Sequence, residues 1–153
     1  WQPSRVLVLG DLIHAKTSLH PATVAEVSEW RRSIDLPIQL IEGNHDRHAR
    51  QLPEAWAIER GALRLVEPPF VFRHEPIEDP AGFVWAGHLH PVHVLRAGKE
   101  TLRLPAFHIG QSIGLLPAFS TFTGGARVRR EGSAYPICEG RVMDAPDRNT
   151  MQL

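Results

Sequence analysis

The sequence has almost no cysteine, no net charge and no long apolar run, and each absence removes a class of protein. One cysteine, Cys138, leaves nothing for an intramolecular disulfide and no Cys-x-x-Cys zinc site, a usage that fits a reducing cytosol. Seventeen Lys and Arg balance seventeen Asp and Glu, and the pI is about 7.3, so no global field draws the chain to nucleic acid or to a membrane surface. Any contact with DNA has to be local. No apolar stretch approaches the ~20 residues of a membrane span, no secretion signal is visible, and there is no repeat, heptad or low-complexity segment. The expected setting is cytoplasmic, with no membrane partner.

What is present is proline and glycine, thirteen and twelve residues, which favours many short strands and turns. With 153 residues and 42% apolar content the chain can bury one core, so one domain is expected over 1–143, followed by a flexible tail at 144–153. Val6-Leu7-Val8-Leu9 and Ile38-Gln39-Leu40-Ile41 read as strands. Between them Pro21 can open a helix whose Val24, Val27 and Trp30 share a face, with Arg31 and Arg32 near its end. Strand, helix, strand makes a parallel βαβ unit, so both strands leave the sheet at one edge. Residues 53–60, closed by Gly61, read as a short helix with Trp56 in the core. Beyond it, 63–66, 70–72 and 83–86 read as strands, 92–95 and 101–104 as a hairpin turning at Ala97-Gly98, and 135–138 as a last strand. The fold class is α/β, with the β structure concentrated in the second half.

Three of these apolar runs end in glycine followed by a residue type that binds metals: Gly10-Asp11, Gly43-Asn44-His45-Asp46 and Gly87-His88-Leu89-His90. A fourth, Phe70-Val71-Phe72, is closed by His74. One such ending would be a turn, since Gly, Asn and Asp are ordinary turn residues. Repetition at strand ends that topology brings together points to a metal site. A carboxylate can bridge two ions, an amide oxygen is a neutral hard ligand, imidazole suits Mn, Fe and Zn, and no thiolate lies nearby. In extended backbone His88 and His90 would turn both rings to one side.

In this order the motifs resemble the calcineurin-like metallophosphoesterases. With Gly10-Asp11-Leu12-Ile13-His14-Ala15, Leu102-Arg103-Leu104-Pro105, Leu116-Pro117-Ala118-Phe119 and Phe122-Thr123-Gly124-Gly125, they resemble the ligase-associated DNA damage response endonucleases, a bacterial branch of that superfamily. The likeness implies a β-sandwich flanked by helices and a DNA endonuclease linked to repair, with a DNA ligase or helicase as a possible partner. It also implies two divalent ions, most readily Mn, with Fe and Zn as alternatives. Asp11 would bridge them, Asn44, His74 and His88 would complete one site, and His90 would belong to the other. The same likeness implies in-line attack on a phosphodiester by a hydroxide held at the ions, with His45 as acid or charge stabiliser. Asp46 either orients His45 or caps a turn. Arg47, with His48 and Arg50, either meets substrate phosphates or forms a solvated loop, and His14 has a family-like position at the site.

The Asp-x-His motif that opens the family pattern has no counterpart before Asp11, and the chain enters a buried-type strand soon after Trp1. The expectation is a domain without its first strand, one metal held strongly, a second held poorly, and weak activity of this chain alone. Two further readings stand beside the endonuclease: a phosphatase or nucleotide phosphodiesterase on the same fold, and a degenerate binding module. His20, His93 and His108 are expected to be structural or exposed, and Arg127, Arg129 and Arg130 to form a solvated strand face.

Overall fold

The computed structural model describes residues 2–15, 19–49, 51–120 and 123–144. Trp1, Arg50, Phe122 and all of the expected tail beyond Asp144 lie outside them. Strand β1 (Val6–Leu9) and strand β2 (Ile38–Ile41) pair in parallel from Val6↔Ile38 to Leu9↔Ile41, connected through helix α1 (Pro21–Arg32). The helix starts as its sequence requires. Pro21 occupies the first turn, where no N–H is needed, and His20 Nδ1 accepts the Ala22 N–H at 3.3 Å. Arg31 fixes the exit by donating to the carbonyls of Ile34 and Leu36, at 2.6 and 3.1 Å.

The face of α1 differs from expectation at Trp30, which is 49% exposed. Steps of three residues fall back by about 60° each on a helix of 3.6 residues per turn, so Trp30 lies about 120° from Val24. Val24 and Val27 pack against the cluster of Ile13, Ala49 and Trp56, and the buried position beside them goes to Ser28, whose hydroxyl donates to Val24 O at 2.6 Å. Residues 53–60 also differ. Only Glu54–Trp56 make a single 3₁₀ turn, Ala57 follows in the left-handed region at φ 43°, and Ile58–Arg60 form β3, parallel to β2. A three-residue strand is too short to show a period of two. Trp56 is in the core as expected, its indole N–H donating to Val24 O at 3.2 Å.

The second sheet has eight strands. β4 (Arg64–Glu67) and β5 (Phe70–Arg73) are antiparallel, β5 and β6 (Phe83–Ala86) are parallel, and β9 (Ile113–Leu115) lies parallel to β6 on its other side. β7 (Val92–Ala97) and β8 (Glu100–Ile109) make a longer hairpin than the sequence suggested. The first part of β8 pairs with β7, the last part with β9 and β10 (Ser133–Cys138), and β11 (Arg141–Val142) closes that edge. Val71, Val84, Ala86, Ile113 and Leu115 form the buried centre of this sheet, and an Arg5–Glu67 ion pair connects the start of β1 to the end of β4. The result is a mixed α/β fold of two sheets with one α-helix among the described residues. No helix among them is long and apolar enough to cross a membrane. Its consequence for function is positional: the carboxyl ends of β1, β2, β5 and β6 deliver Asp11, Asn44, His74 and His88 to one place.

Candidate metal centre

The backbone around these strand ends is held in conformations that side chains ordinarily avoid. Five described non-glycine residues have positive φ, and three of them are Asp11 (57°), His88 (63°) and His90 (46°). Each such residue costs of order 1–3 kcal/mol, and such costs cluster where function fixes the geometry. His88 and His90 are therefore not extended as the sequence suggested. They flank a tight turn closed by the Leu89 N–H to Gly87 O at 2.7 Å, which turns Leu89 onto the core of the second sheet. The glycines that precede the ligands are required by close approach. A Cβ on Gly10 would overlap the His74 ring, and one on Gly43 would overlap the Asp11 carboxylate.

Asp46 ties the β1 and β2 ends together. Its carboxylate, 1% exposed, accepts three backbone N–H groups, those of Asp11 (2.8 Å), Gly43 (2.8 Å) and Ile13 (2.9 Å). All three go to backbone, which accounts for its burial without any part played by the His45 ring. Asp11 in turn accepts the His45 N–H on Oδ1 at 3.0 Å, which leaves Oδ2 facing His74.

His74 joins the two sheets. Its Nδ1 lies 2.9 Å from the Leu9 carbonyl, which can only accept, so Nδ1 carries a proton and Nε2 is the nitrogen left to ligate. Around Nε2 stand Asn44 Oδ1 at 3.0 Å, His88 Nδ1 at 3.0 Å and Asp11 Oδ2 at 3.3 Å. A proton on His88 Nδ1 satisfies one of these contacts. When the His74 ring is neutral, the two oxygens face its Nε2 lone pair with no hydrogen between them, and His74 is buried. A cation relieves that repulsion, and adjacent ligands of an ion with ~2.0–2.2 Å bonds lie about 3.0–3.4 Å apart. Asp11, His74 and His88 offer ligand atoms all within 4.8 Å of one another, so the donor set fits a divalent ion. The Nδ1–H to carbonyl bond on the far side of His74 is the support a ligating imidazole needs.

No family model matches the chain, and no curated protein does. Among solved structures, the crystal structure of Pseudomonas putida nuclease MPE superposes with a TM-score of 0.80 at 42% identity, covering 91% of this chain and 68% of that one. The chain belongs to the nuclease MPE family.

Other residues that the sequence singled out lie around the centre of this MPE-family chain. His90 is half-buried and outside the group of three. Burial is the main cause that lowers its pKa, the Asp11 carboxylate opposes that shift, and the positive charge that His88, His74 and His14 carry when protonated adds to it. His45 and His14 stack, centroids 4.5 Å apart and planes at 28°. Arg47 is exposed on the 3₁₀ turn Asp46–His48. His93 and His108 are buried, as the structural reading requires, and His20 caps α1. Two parts of the candidate site were invisible in the sequence: the Leu9 carbonyl, because backbone carries no residue signal, and Arg60. The Arg60 guanidinium bonds Glu42 at 2.9 Å and the Ala49 carbonyl at 2.6 Å, bracing both ends of the segment that holds Asn44 to Asp46.

Proposed function

We propose that this chain is a metal-dependent phosphodiesterase acting on nucleic acid: a DNA endonuclease of the calcineurin-like metallophosphoesterases, in the branch associated with ligase and DNA repair. The observation that carries the reading is the convergence of Asn44 Oδ1, Asp11 Oδ2 and His88 Nδ1 on the lone pair of His74. The 42% identity to a nuclease supplies the substrate class. One carboxylate, one amide and two imidazoles without a thiolate suit Mn, Fe or Zn. A divalent ion there provides Lewis acidity toward a phosphoryl oxygen and lowers the pKa of a water nucleophile.

The remaining steps belong to side chains of this chain. His45, fixed by its own N–H on Asp11 and by stacking on His14, donates a proton to the leaving oxygen or offsets charge on the phosphoryl group. Asp46 holds the two loops that present Asp11 and Asn44, a positioning role. Arg47, exposed one residue further on, meets a flanking phosphate. His90 is the ligand nearest to hand for a second, weaker ion.

Hydrolysis of bis(p-nitrophenyl) phosphate and of single-stranded DNA by the full chain, with Mn²⁺ and then with chelator, tests this. Metal-dependent cleavage of both diesters, with p-nitrophenyl phosphate much slower, is the expected result. Preference for the monoester would instead assign a phosphatase, and no hydrolysis with a bound ion would assign a binding module.

A further inference from the structure

Phe119 is wholly exposed, at 104%, whereas the other exposed large apolar residues among those described range from 36% to 60%. Scattered apolar side chains on a surface need no explanation. The place of this one does. Residues 117–120 and 123–125 lie between two hydrogen-bonded points on the segment that carries His88 and His90. At the entry, the Leu116 N–H donates to the Ala86 carbonyl at 2.8 Å; at the exit, the Ala126 N–H donates to the His90 carbonyl at 3.0 Å, and Ala126 O accepts the Val92 N–H at 3.0 Å. Arg103, on β8, steadies the same exit by donating through Nη2 to the carbonyls of Gly124 and Gly125, both at 3.1 Å. A Cβ on Gly125 would stand 2.7 Å from the His90 carbonyl, so the loop lies directly against the ligand turn.

Three residues separate Phe119 from Leu116, a reach of at most ~10 Å from the strand end that leads into His88. At the ~3.4 Å rise of a stacked strand this is about three nucleotides. The other exposed apolar pair of this region, Leu95 and Leu102, face each other across the β7–β8 hairpin. They belong to the opposite face from the Val94–Arg103 pair that holds the loop, and so to a different surface.

We propose that Phe119 stacks on an unpaired nucleobase of the substrate strand, a few nucleotides from the phosphodiester at the metal centre; this rests on the nuclease reading above. With no net charge to hold a polyanion, the chain needs local contacts, and an aromatic face supplies one that every base can use. A base inside a duplex has both faces covered, so the contact selects unpaired positions.

The test measures Kd by fluorescence anisotropy for a labelled single-stranded oligonucleotide, and for the same strand with single abasic positions, with the chain stripped of metal by chelator so that nothing is cleaved. Phe119→Ala weakens binding about 5- to 150-fold, the range corresponding to one base–aromatic stack, while Phe119→Trp keeps wild-type affinity and Phe119→Leu does not. One abasic position costs the wild type a similar factor and costs Phe119→Ala nothing more. Wild-type affinity in Phe119→Ala, full affinity in Phe119→Leu, abasic penalties that multiply independently with Phe119→Ala, or no binding of the strand by the wild type would each overturn the proposal. Hydrolysis of bis(p-nitrophenyl) phosphate, assayed separately, decides the phosphodiesterase reading, so failure of either one is seen without the other.

Discussion

At the scale of single residues, His45 and Asp46 are neighbours in sequence with different work to do. His45 lies beside the centre without belonging to the four converging ligand atoms. Its replacement by Ala is expected to lower turnover by about 10²–10⁴ while the metal content of the purified chain stays the same. Parallel kinetics and metal analysis check this, and joint loss of metal and activity would make His45 a ligand. Asp46→Asn turns an amide N–H₂ toward backbone N–H groups that now find a carboxylate oxygen. The loss is one or more charge-assisted bonds at a buried site, so urea unfolding is expected to show destabilisation by about 2–4 kcal/mol. Chemistry-bearing types at the ends of apolar runs made Asp11, Asn44, His74 and His88 legible from sequence. For Asp46 the sequence left two alternatives, orienting His45 or capping a turn, and could not name its partners, because they are N–H groups that every residue but proline carries.

At the scale of elements, strands were legible at short, mostly apolar runs such as 6–9, 38–41, 70–72 and 83–86, and illegible at β3, which pairs along the edge of β2, and at β9. The turn through His88 and His90 was misjudged for a related reason: two ligands at i and i+2 fit an extended strand as well as a left-handed turn, and only tertiary approach decides. Close approach also fixes Gly10, where φ is +81° and a Cβ would overlap His74. Gly10→Ala should displace His74 and abolish tight metal binding, while Lys99→Ala, at an exposed site in the hairpin turn, should leave it intact; isothermal titration with Mn²⁺ on both variants makes the comparison.

A second element-scale prediction concerns acid. Hydrogen bonds from Arg64 on β4, at 2.6 and 2.7 Å, and the Ala81 N–H hold the Asp79 carboxyl down at about 2. Because the folded value is the lower one, this contribution is fully present above the ordinary Asp value of about 3.9 and fades as pH falls toward 2. Stability should therefore show no dependence on this pair between pH 5 and 8. Arg64→Ala should raise the Asp79 pKa toward its ordinary value, read by carboxyl-carbon NMR titration.

At the scale of the whole molecule, the fold is two sheets whose carboxyl ends meet, joined among the described residues by contacts of His74 with the Leu9 carbonyl, Asn44 and Asp11 and by the Arg5–Glu67 pair. The parallel βαβ unit was readable from its periodicity, and with it the convergence of Asp11 and Asn44. The placement of His74 and His88 beside them depends on how one sheet meets the other, which no local pattern encodes. The account stands on that meeting point being a metal centre, and metal retention tests it directly. After exhaustive dialysis against metal-free buffer, about one tightly held Mn, Fe or Zn ion per chain is expected by mass spectrometry, with any second ion lost because His90 stands outside the converging four. In Asp11→Ala and His74→Ala the tight ion should be absent. Retention of no ion by the wild type, or unchanged retention by both variants, would contradict it.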